Sequence, residues 1–332
     1  MRRKLAVLLP YYGELPKYFS LWLDSLSHMT FEVICFTDLK ICGAPRNLII
    51  KPMTLEQIRL LAVRKLGVQV NLTQPYKLCD LKPMYGKIFE DYIKNYDYWA
   101  FGDCDLLYGR SLNQTLEGLL NRKYDIISFR EKWISGGLTI MKNVNAVNLL
   151  FKNAQNLGSI LASCKCEYFD ELGGKWFDAI RSGQMRVEDC GRIKDCFASI
   201  VWSCADLSFF HKDIISEDLL QVGDVVTMID GHLYRNDEEI DVFHYVECKS
   251  LCCFSEWFTR FWNSSAQNYK ITRYGVFSLD MEWRCRFFVA FARRALVKYK
   301  HFKYLLSHAR RVGVRRTLKS FFRQLFGGIS FL

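Results

Sequence analysis

An α/β fold with a mostly parallel central sheet flanked by helices is what this 332-residue sequence predicts, and three observations carry it. Short apolar runs of strand length alternate with amphipathic runs of helical spacing over about the first 145 residues. One run, Tyr98-Trp99-Ala100-Phe101, is apolar without alternation, as expected of a strand covered on both faces. Half of the residues are hydrophobic and 15% are aromatic, so a large core is available.

Residues 4–9 (KLAVLL) read as the first strand. They do not read as a signal peptide, because the apolar stretch Leu5 to Leu9 stops at Pro10 with no small-residue cleavage site after it. From Tyr18 to Met29, Phe19, Trp22, Leu23 and Leu26 fall on one helical face. Residues 32–36 (EVICF) and 47–50 (NLII) are the second and third strands, and Thr54 is placed to cap a helix over 54–66. Pro83 suits the first turn of another helix, whose apolar stripe is Met84, Tyr85, Ile88, Phe89, Tyr92 and Ile93. The run at 98–101 then leads into Gly102-Asp103-Cys104-Asp105, and 125–129 (DIISF) and 138–141 (LTIM) read as strands flanking Ser135-Gly136-Gly137. Between 150 and 225 the pattern sets no boundaries, and no internal repeat is present.

The net charge of +11 is uneven. No acidic residue follows Glu282, while thirteen Lys and Arg fall between Arg284 and Arg323, which leaves 33 basic against 35 acidic groups before that point. The expectation is therefore a nearly neutral domain over 1–250 and a basic, aromatic-rich helical region over 251–332. No window of eighteen uncharged apolar residues occurs, so no transmembrane helix is expected. The thirteen cysteines are an odd number without framework spacing, which suits reduced thiols in a cytoplasm. Cys164-Lys165-Cys166 and Cys252-Cys253 match no usual zinc spacing. The chain lacks a GxxxxGK[ST] loop, a GxGxxG after a strand and a GxSxG elbow, which disfavours P-loop NTPases, dinucleotide oxidoreductases and α/β-hydrolases.

Asp103 and Asp105 carry the chemical signal. If the strand continues through them, their side chains share one face and Cys104 takes the other. Carboxylates that close repel unless a cation lies between them, and hard oxygen ligands suit Mg²⁺ or Mn²⁺ together with substrate phosphates. A solvated turn at the strand end is the other reading of the same pair.

The order of motifs is similar to that of GT-A-type, nucleotide-sugar-dependent glycosyltransferases, and most similar to an uncharacterised bacterial group of them. The residues that carry the resemblance are LLPYYGELPKYFSLWLDSL (8–26), CDLKPMYGKIFEDYI (79–93), DYWAFGDCDLLYG (97–109), SGGLTIMKN (135–143), YFDELGG (168–174) and VFHYVECK (242–249). The resemblance implies a GT-A-like, Rossmann-like sheet and a Mn²⁺ or Mg²⁺ cofactor on Asp103 and Asp105, with His244 completing the metal site or touching the diphosphate. It implies that Pro10 and Tyr11 border the nucleotide base and that Asp38 lies near the base or ribose. Asp80, Lys82 and Tyr85 would face the donor. Asp170 and Glu171 would hold the acceptor hydroxyl or act as its base, and Gly136-Gly137 would let the acceptor approach the backbone.

The basic region holds two amphipathic patterns. One gathers Phe287, Phe288, Phe291, Tyr299, Phe302 and Leu306, and the other Val314, Leu318, Phe321, Phe322, Leu325 and Phe326. Basic, Phe-rich helices suit an anionic membrane surface, and packing back on the enzyme domain is the alternative for the first of them. No nucleic-acid motif accompanies the charge, so no nucleic-acid partner is expected. The expectation is a cytoplasmic glycosyltransferase peripheral to the inner membrane face. It would move sugar from a nucleotide-sugar donor, foremost a UDP-sugar, to a glycan or lipid-linked acceptor of bacterial surface polysaccharide. A nucleotidyltransferase acting on sugar phosphates and a non-catalytic basic binding protein are the rival readings.

Overall fold

The computed structural model describes residues 3–16, 18–172, 176–190, 196–217, 220–221, 223–246, 268–272 and 275–279. The expected alternation is present. It runs β1 (Leu5–Pro10), α1 (Phe19–Ser27), β2 (Glu32–Thr37), β3 (Leu48–Pro52) and α2 (Leu55–Leu66). The start of α2 follows from the sequence. Thr54 accepts the N–H of Gln57, and the Gln57 side chain accepts the N–H of Thr54, a reciprocal capping box. Gly67 closes the same helix in the left-handed conformation, at φ 72°.

Residues 83–93 do not form the single helix expected. The chain passes through 3₁₀ turns at Pro75–Lys77 and Lys82–Met84, with α3 (Leu78–Leu81) and α4 (Tyr85–Ile88) as one-turn segments between and after them. Pro83 has no N–H to give the carbonyl of Cys79, and the N–H of Lys82 takes that carbonyl in a tighter turn. The apolar stripe still serves its purpose, with Met84, Tyr85, Ile88, Phe89 and Ile93 buried. Breaking the helix at Lys82 leaves that residue at a turn directed to the sheet edge.

Next come β4 (Tyr98–Gly102), β5 (Leu106–Tyr108), α5 (Leu112–Asn121), β6 (Ile126–Ser128), β7 (Leu138–Lys142) and β8 (Phe209–His211). The main sheet has the order β3-β2-β1-β4-β7-β6-β8, and of its described strands β7 is the one that runs against its neighbours. Alternation along β1 and β4 sorts the core into two layers. Ala6, Leu8, Trp99 and Phe101 pack with Ile58, Leu81 and Met84, while Leu5, Val7, Tyr98 and Ala100 pack with Trp22, Leu26 and Leu116. Both faces of the sheet are therefore covered, which is why β4 is buried at every position.

Between 145 and 202 the helical pieces Asn145–Asn148, Leu157–Ala162, Phe177–Arg181 and Phe197–Trp202 are at most six residues long, too short to show a period in sequence. Later strands are β9 (Ile215–Ser216), β10 (Val225–Ile229), β11 (His232–Arg235), β12 (Glu238–Glu239), β13 (Val242–His244), β14 (Tyr269–Thr272) and β15 (Gly275–Ser278). β13 pairs antiparallel with β5 and parallel with β9, and the rest form a five-stranded sheet in the order β12-β11-β10-β14-β15. Because β14 pairs with β10, strand pairing continues past the boundary expected at residue 250. The amphipathic patterns at 287–306 and 314–326 lie outside the described residues. No described helix is long and apolar enough to cross a membrane.

Gly86 sets the fit of α4 on the sheet, since a Cβ there would stand 2.4 Å from Cε2 of Trp99, which is fully buried. Gly86→Ala is expected to lower unfolding stability by about 1–3 kcal/mol, the usual cost of overpacking, measured by denaturant titration.

Candidate active site

The parallel strands deliver their carboxyl ends to one edge of the sheet. Pro10 ends β1, Asp38 follows β2, and Asp103 follows β4. The reversed β7 begins at the same edge, so Gly136-Gly137 arrive there as well. Ligands of open α/β sheets sit at this edge.

The Asp-x-Asp segment is a turn and not a strand continuation. β4 ends at Gly102, and Cys104 and Asp105 turn the chain into β5. Gly102 lies against β1, where a Cβ would come to 3.1 Å of Val7 Cγ1, and the N–H of Asp103 donates to Gly137 O at 3.0 Å. Strand alternation therefore does not place the two carboxylates together. Each meets its own cation. Asp103, with 37% of its side chain exposed, faces Lys82, and Asp105, with 7%, faces His244.

Lys82 is the hub of the first group. Its ammonium lies 2.9 Å from Asp103 Oδ1 and 3.3 Å from Asp170 Oδ2, and it donates to Gly136 O at 2.8 Å. Burial alone would favour the neutral amine, but the facing carboxylates of Asp103 and Asp170 outweigh it and hold Lys82 charged. Burial raises the Asp170 carboxyl to about 8, against the pull of Lys82 and with the nearby Glu171 and Asp103 charges adding to the rise. Burial also raises Glu171, although its carboxylate accepts the Gly136 N–H at 2.7 Å. That carboxylate fills the space a Cβ on Gly136 would need, at 2.7 Å from Oε1. At Gly136 the open backbone thus receives Glu171, while Gly137 borders the His244 ring at ordinary contact distance.

The second group is a buried relay. His244, at the end of β13, has Nε2 3.3 Å from Asp105 Oδ1 and Nδ1 3.3 Å from Glu217 Oε2. Burial would lower the imidazole, yet hydrogen bonds to the two carboxylates raise it to about 9. Glu217 is held on its far side by the guanidinium of Arg130, which also donates to Ile215 O at 2.7 Å and lies over the Trp133 ring. Sequence reading missed Glu217 and Arg130. Glu217 stands in the stretch where the pattern gave no boundaries, and no local motif surrounds either residue.

Other candidates take different places. Asp80 does not face an open cleft. It is fully buried, pairs with Lys77 at 2.7 Å, and accepts the N–H groups of Glu167 and Phe169 at 2.9 and 2.8 Å. Tyr85 is likewise core, 2% exposed, with its hydroxyl donating to Leu78 O. Tyr11 is half-buried, its hydroxyl on Glu14 O, and Asp38 is exposed.

Among the described residues no group of three or more His, Cys, Asp or Glu side chains is disposed to hold a metal ion. Mg²⁺ and Mn²⁺ do not require one, since one or two carboxylates plus substrate phosphates commonly suffice. Asp103 at the strand-end turn is partly exposed and open to a ligand, whereas Asp105 is buried against His244. Asp103 with substrate phosphates fits such an ion directly, and Asp105 fits it on release from His244.

Fold and site together define an α/β protein with a buried lysine–carboxylate cluster at the carboxyl edge of a mostly parallel sheet. The chain belongs to a family of unknown function (DUF6625), whose model matches residues 7–247. No curated protein matches it. Among solved structures, mouse xyloside xylosyltransferase 1 in its apo form is 12% identical, with a TM-score of 0.37 over 74% of this chain and 98% of that one. A glycosyltransferase involved in glycosylation of the PBCV-1 major capsid is 9% identical, with a TM-score of 0.27 over 45% and 65%. A putative nucleotide-diphospho-sugar transferase from Desulfovibrio desulfuricans G20 is 9% identical, with a TM-score of 0.27 over 55% and 78%. At these scores the fold rests on its own topology and the function on the site.

The raised Asp170 carboxyl has a consequence for stability. Between its ordinary value of 3.8 and about 8, the folded chain holds a proton that the unfolded chain has released, so this group's contribution is lost as pH rises through that window. Asp170→Asn is expected to flatten the fall of Tm over that window, leaving the variant more stable relative to wild type at pH 8 than at pH 4.

Proposed function

We propose that the protein is a glycosyltransferase that moves a sugar from a nucleotide-diphosphate donor, a UDP-sugar foremost, to a hydroxyl of a glycan or lipid-linked acceptor. The observation that carries the proposal is the cluster of Asp103, Lys82 and Asp170 at the carboxyl edge of the sheet, beside a second carboxylate, Asp105, held by His244. Asp103 and Asp105 would hold Mn²⁺ or Mg²⁺, which supplies positive charge against the leaving diphosphate when bound. Lys82 remains charged at this site and adds a second, built-in cation directed at the same leaving group. The sheet edge at Pro10, Tyr11 and Asp38 would receive the nucleotide.

In the transfer, the bond from the anomeric carbon to the diphosphate oxygen breaks with its electron pair leaving on the diphosphate, and the acceptor oxygen bonds the same carbon. An inverting transfer passes the acceptor's proton to Asp170, whose carboxyl is poised near neutral pH by burial. A retaining transfer needs no dedicated base and leaves Asp170 to hold the hydroxyl. Glu171 keeps the Gly136 backbone in place beneath it. The Arg130–Glu217–His244 relay orients the imidazole toward Asp105. The acidic-free, Phe-rich residues after Glu282 support a cytoplasmic enzyme resting on an anionic membrane, where the lipid-linked acceptors of a bacterial surface polysaccharide are found.

The test is a panel of nucleotide-sugars incubated with the full chain and Mn²⁺, reading nucleoside diphosphate release. Release is expected with at least one donor and is expected to fall about 100-fold or more in Asp103→Ala/Asp105→Ala and in Lys82→Met, the scale of losing transition-state charge stabilisation. Full turnover by the double variant would refute the site. Pyrophosphate as the product would instead identify a nucleotidyltransferase.

A further inference from the structure

Two exposed tyrosines stand beside the site. Tyr76 is 59% and Tyr168 42% exposed, and their rings meet edge to face, with centroids 6.1 Å apart at 77°. Exposed tyrosines are ordinary singly, but Tyr168 also adopts φ 55°, a left-handed conformation that is unfavourable for a bulky side chain. The buried carboxylate of Asp80 is what enforces it, since it takes the N–H of Glu167 on one side of Tyr168 and that of Phe169 on the other. Lys77, next to Tyr76 in the chain, pairs with the same carboxylate and donates to Lys165 O at 2.8 Å. One buried ion pair therefore holds both tyrosines in a fixed corner. Strain retained in this way, at a pair of exposed rings, motivates a functional reading of the corner.

The corner lies on the Asp170 side of Lys82. Tyr168 is two residues before Asp170, within about 7 Å of chain. Tyr76 is six residues before Lys82, separated from it by the end of a 3₁₀ turn and the one-turn α3. The groups nearest the corner in the chain include the carboxyl groups of Glu167 and Asp170 and the exposed ammonium of Lys165, which together offer hydrogen bonds to hydroxyls without a strong charge of one sign. An apolar ring face with a polar rim of phenol and carboxylate oxygens suits a neutral polyhydroxylated ring. We propose that Tyr76 and Tyr168 form a binding platform for a neutral pyranose ring of the acceptor, placing one of its hydroxyls at Asp170. The proposal rests on the transferase reading above. It names the acceptor end as saccharide.

Binding requires no turnover and is measured directly by saturation-transfer NMR on the full chain, with the methyl pyranosides of glucose, galactose and N-acetylglucosamine as probes. Saturation is expected on the ring C–H protons of at least one glycoside. Tyr76→Phe/Tyr168→Phe should keep most of the signal, and Tyr76→Ala/Tyr168→Ala should weaken binding about tenfold, the effect of truncating an aromatic anchor. Tyr168→Gly relieves the left-handed strain, so it should weaken binding while melting no lower than wild type. No saturation of any probe, or an unchanged signal in the Ala double variant, would overturn the platform. Nucleoside diphosphate release by the wild-type chain with water as acceptor separates the two ideas. Release without glycoside binding sinks the platform alone, whereas glycoside binding without release from any donor sinks the transferase reading and leaves a saccharide site.

Discussion

A buried ammonium must be matched by carboxylates, and Lys82 is where this structure meets that demand. With the residue 6% exposed, its charge survives only because Asp103, Asp170 and the Gly136 carbonyl converge on it. Those partners come from the end of β4, the start of β7 and the loop around 170, so one cation fixes three chain segments at the sheet edge. A buried pair contributes little net stability compared with a packed apolar equivalent, but removing one partner costs about 3–5 kcal/mol. The arrangement is therefore better explained by the chemistry it presents than by stability. Lys77 and Asp80 repeat the pattern one helical turn earlier, both with fully buried side chains, and tie the loop at 165–169 to the same frame.

Much of the frame was legible in sequence because it depends on local patterns. The unbroken apolar run at 98–101 marked a strand covered on both faces, Thr54 marked a helix start, and the Asp-x-Asp segment marked the carboxyl edge that holds the candidate site. The geometry of that segment was not legible, since whether a strand continues past Gly102 depends on β5 turning away to pair with β13. The helix expected over 83–93 is cut to Tyr85–Ile88, because the chain leaves helical geometry at Phe89, with φ −102° and ψ 21°. Asp80 was expected to face the donor because the resemblance places a polar helix start there, whereas its partners Glu167 and Phe169 are 87 and 89 residues away. Glu217 and Arg130 were missed for the same reason. Their significance is set by His244 and by each other, across distances in sequence that no spacing rule spans.

The two ends of the sheet offer different environments. At the amino ends of β1, β2 and β3 lies a groove of 1290 Å³ whose lining includes Arg3, Lys4, Arg46 and Lys51 together with Glu32 and Asp91. Arg3 and Glu32 are already engaged there, by Asp97 and by the Tyr96 hydroxyl. The carboxyl edge differs in concentrating buried, displaced titrating groups: Asp170 near 8, His244 near 9 and a Lys82 held charged. Such a concentration is what makes the carboxyl edge the candidate site.

Where a nucleoside diphosphate binds decides between the two ends. A crystal structure of the full chain with UDP and Mn²⁺ is the most direct measurement. The diphosphate is expected at the carboxyl ends of β1 and β4, in contact with Lys82 and with the ion on Asp103 and Asp105. A diphosphate seated in the basic groove at the opposite end, with Lys82 still enclosed by Asp103 and Asp170, would contradict the assignment of the active site.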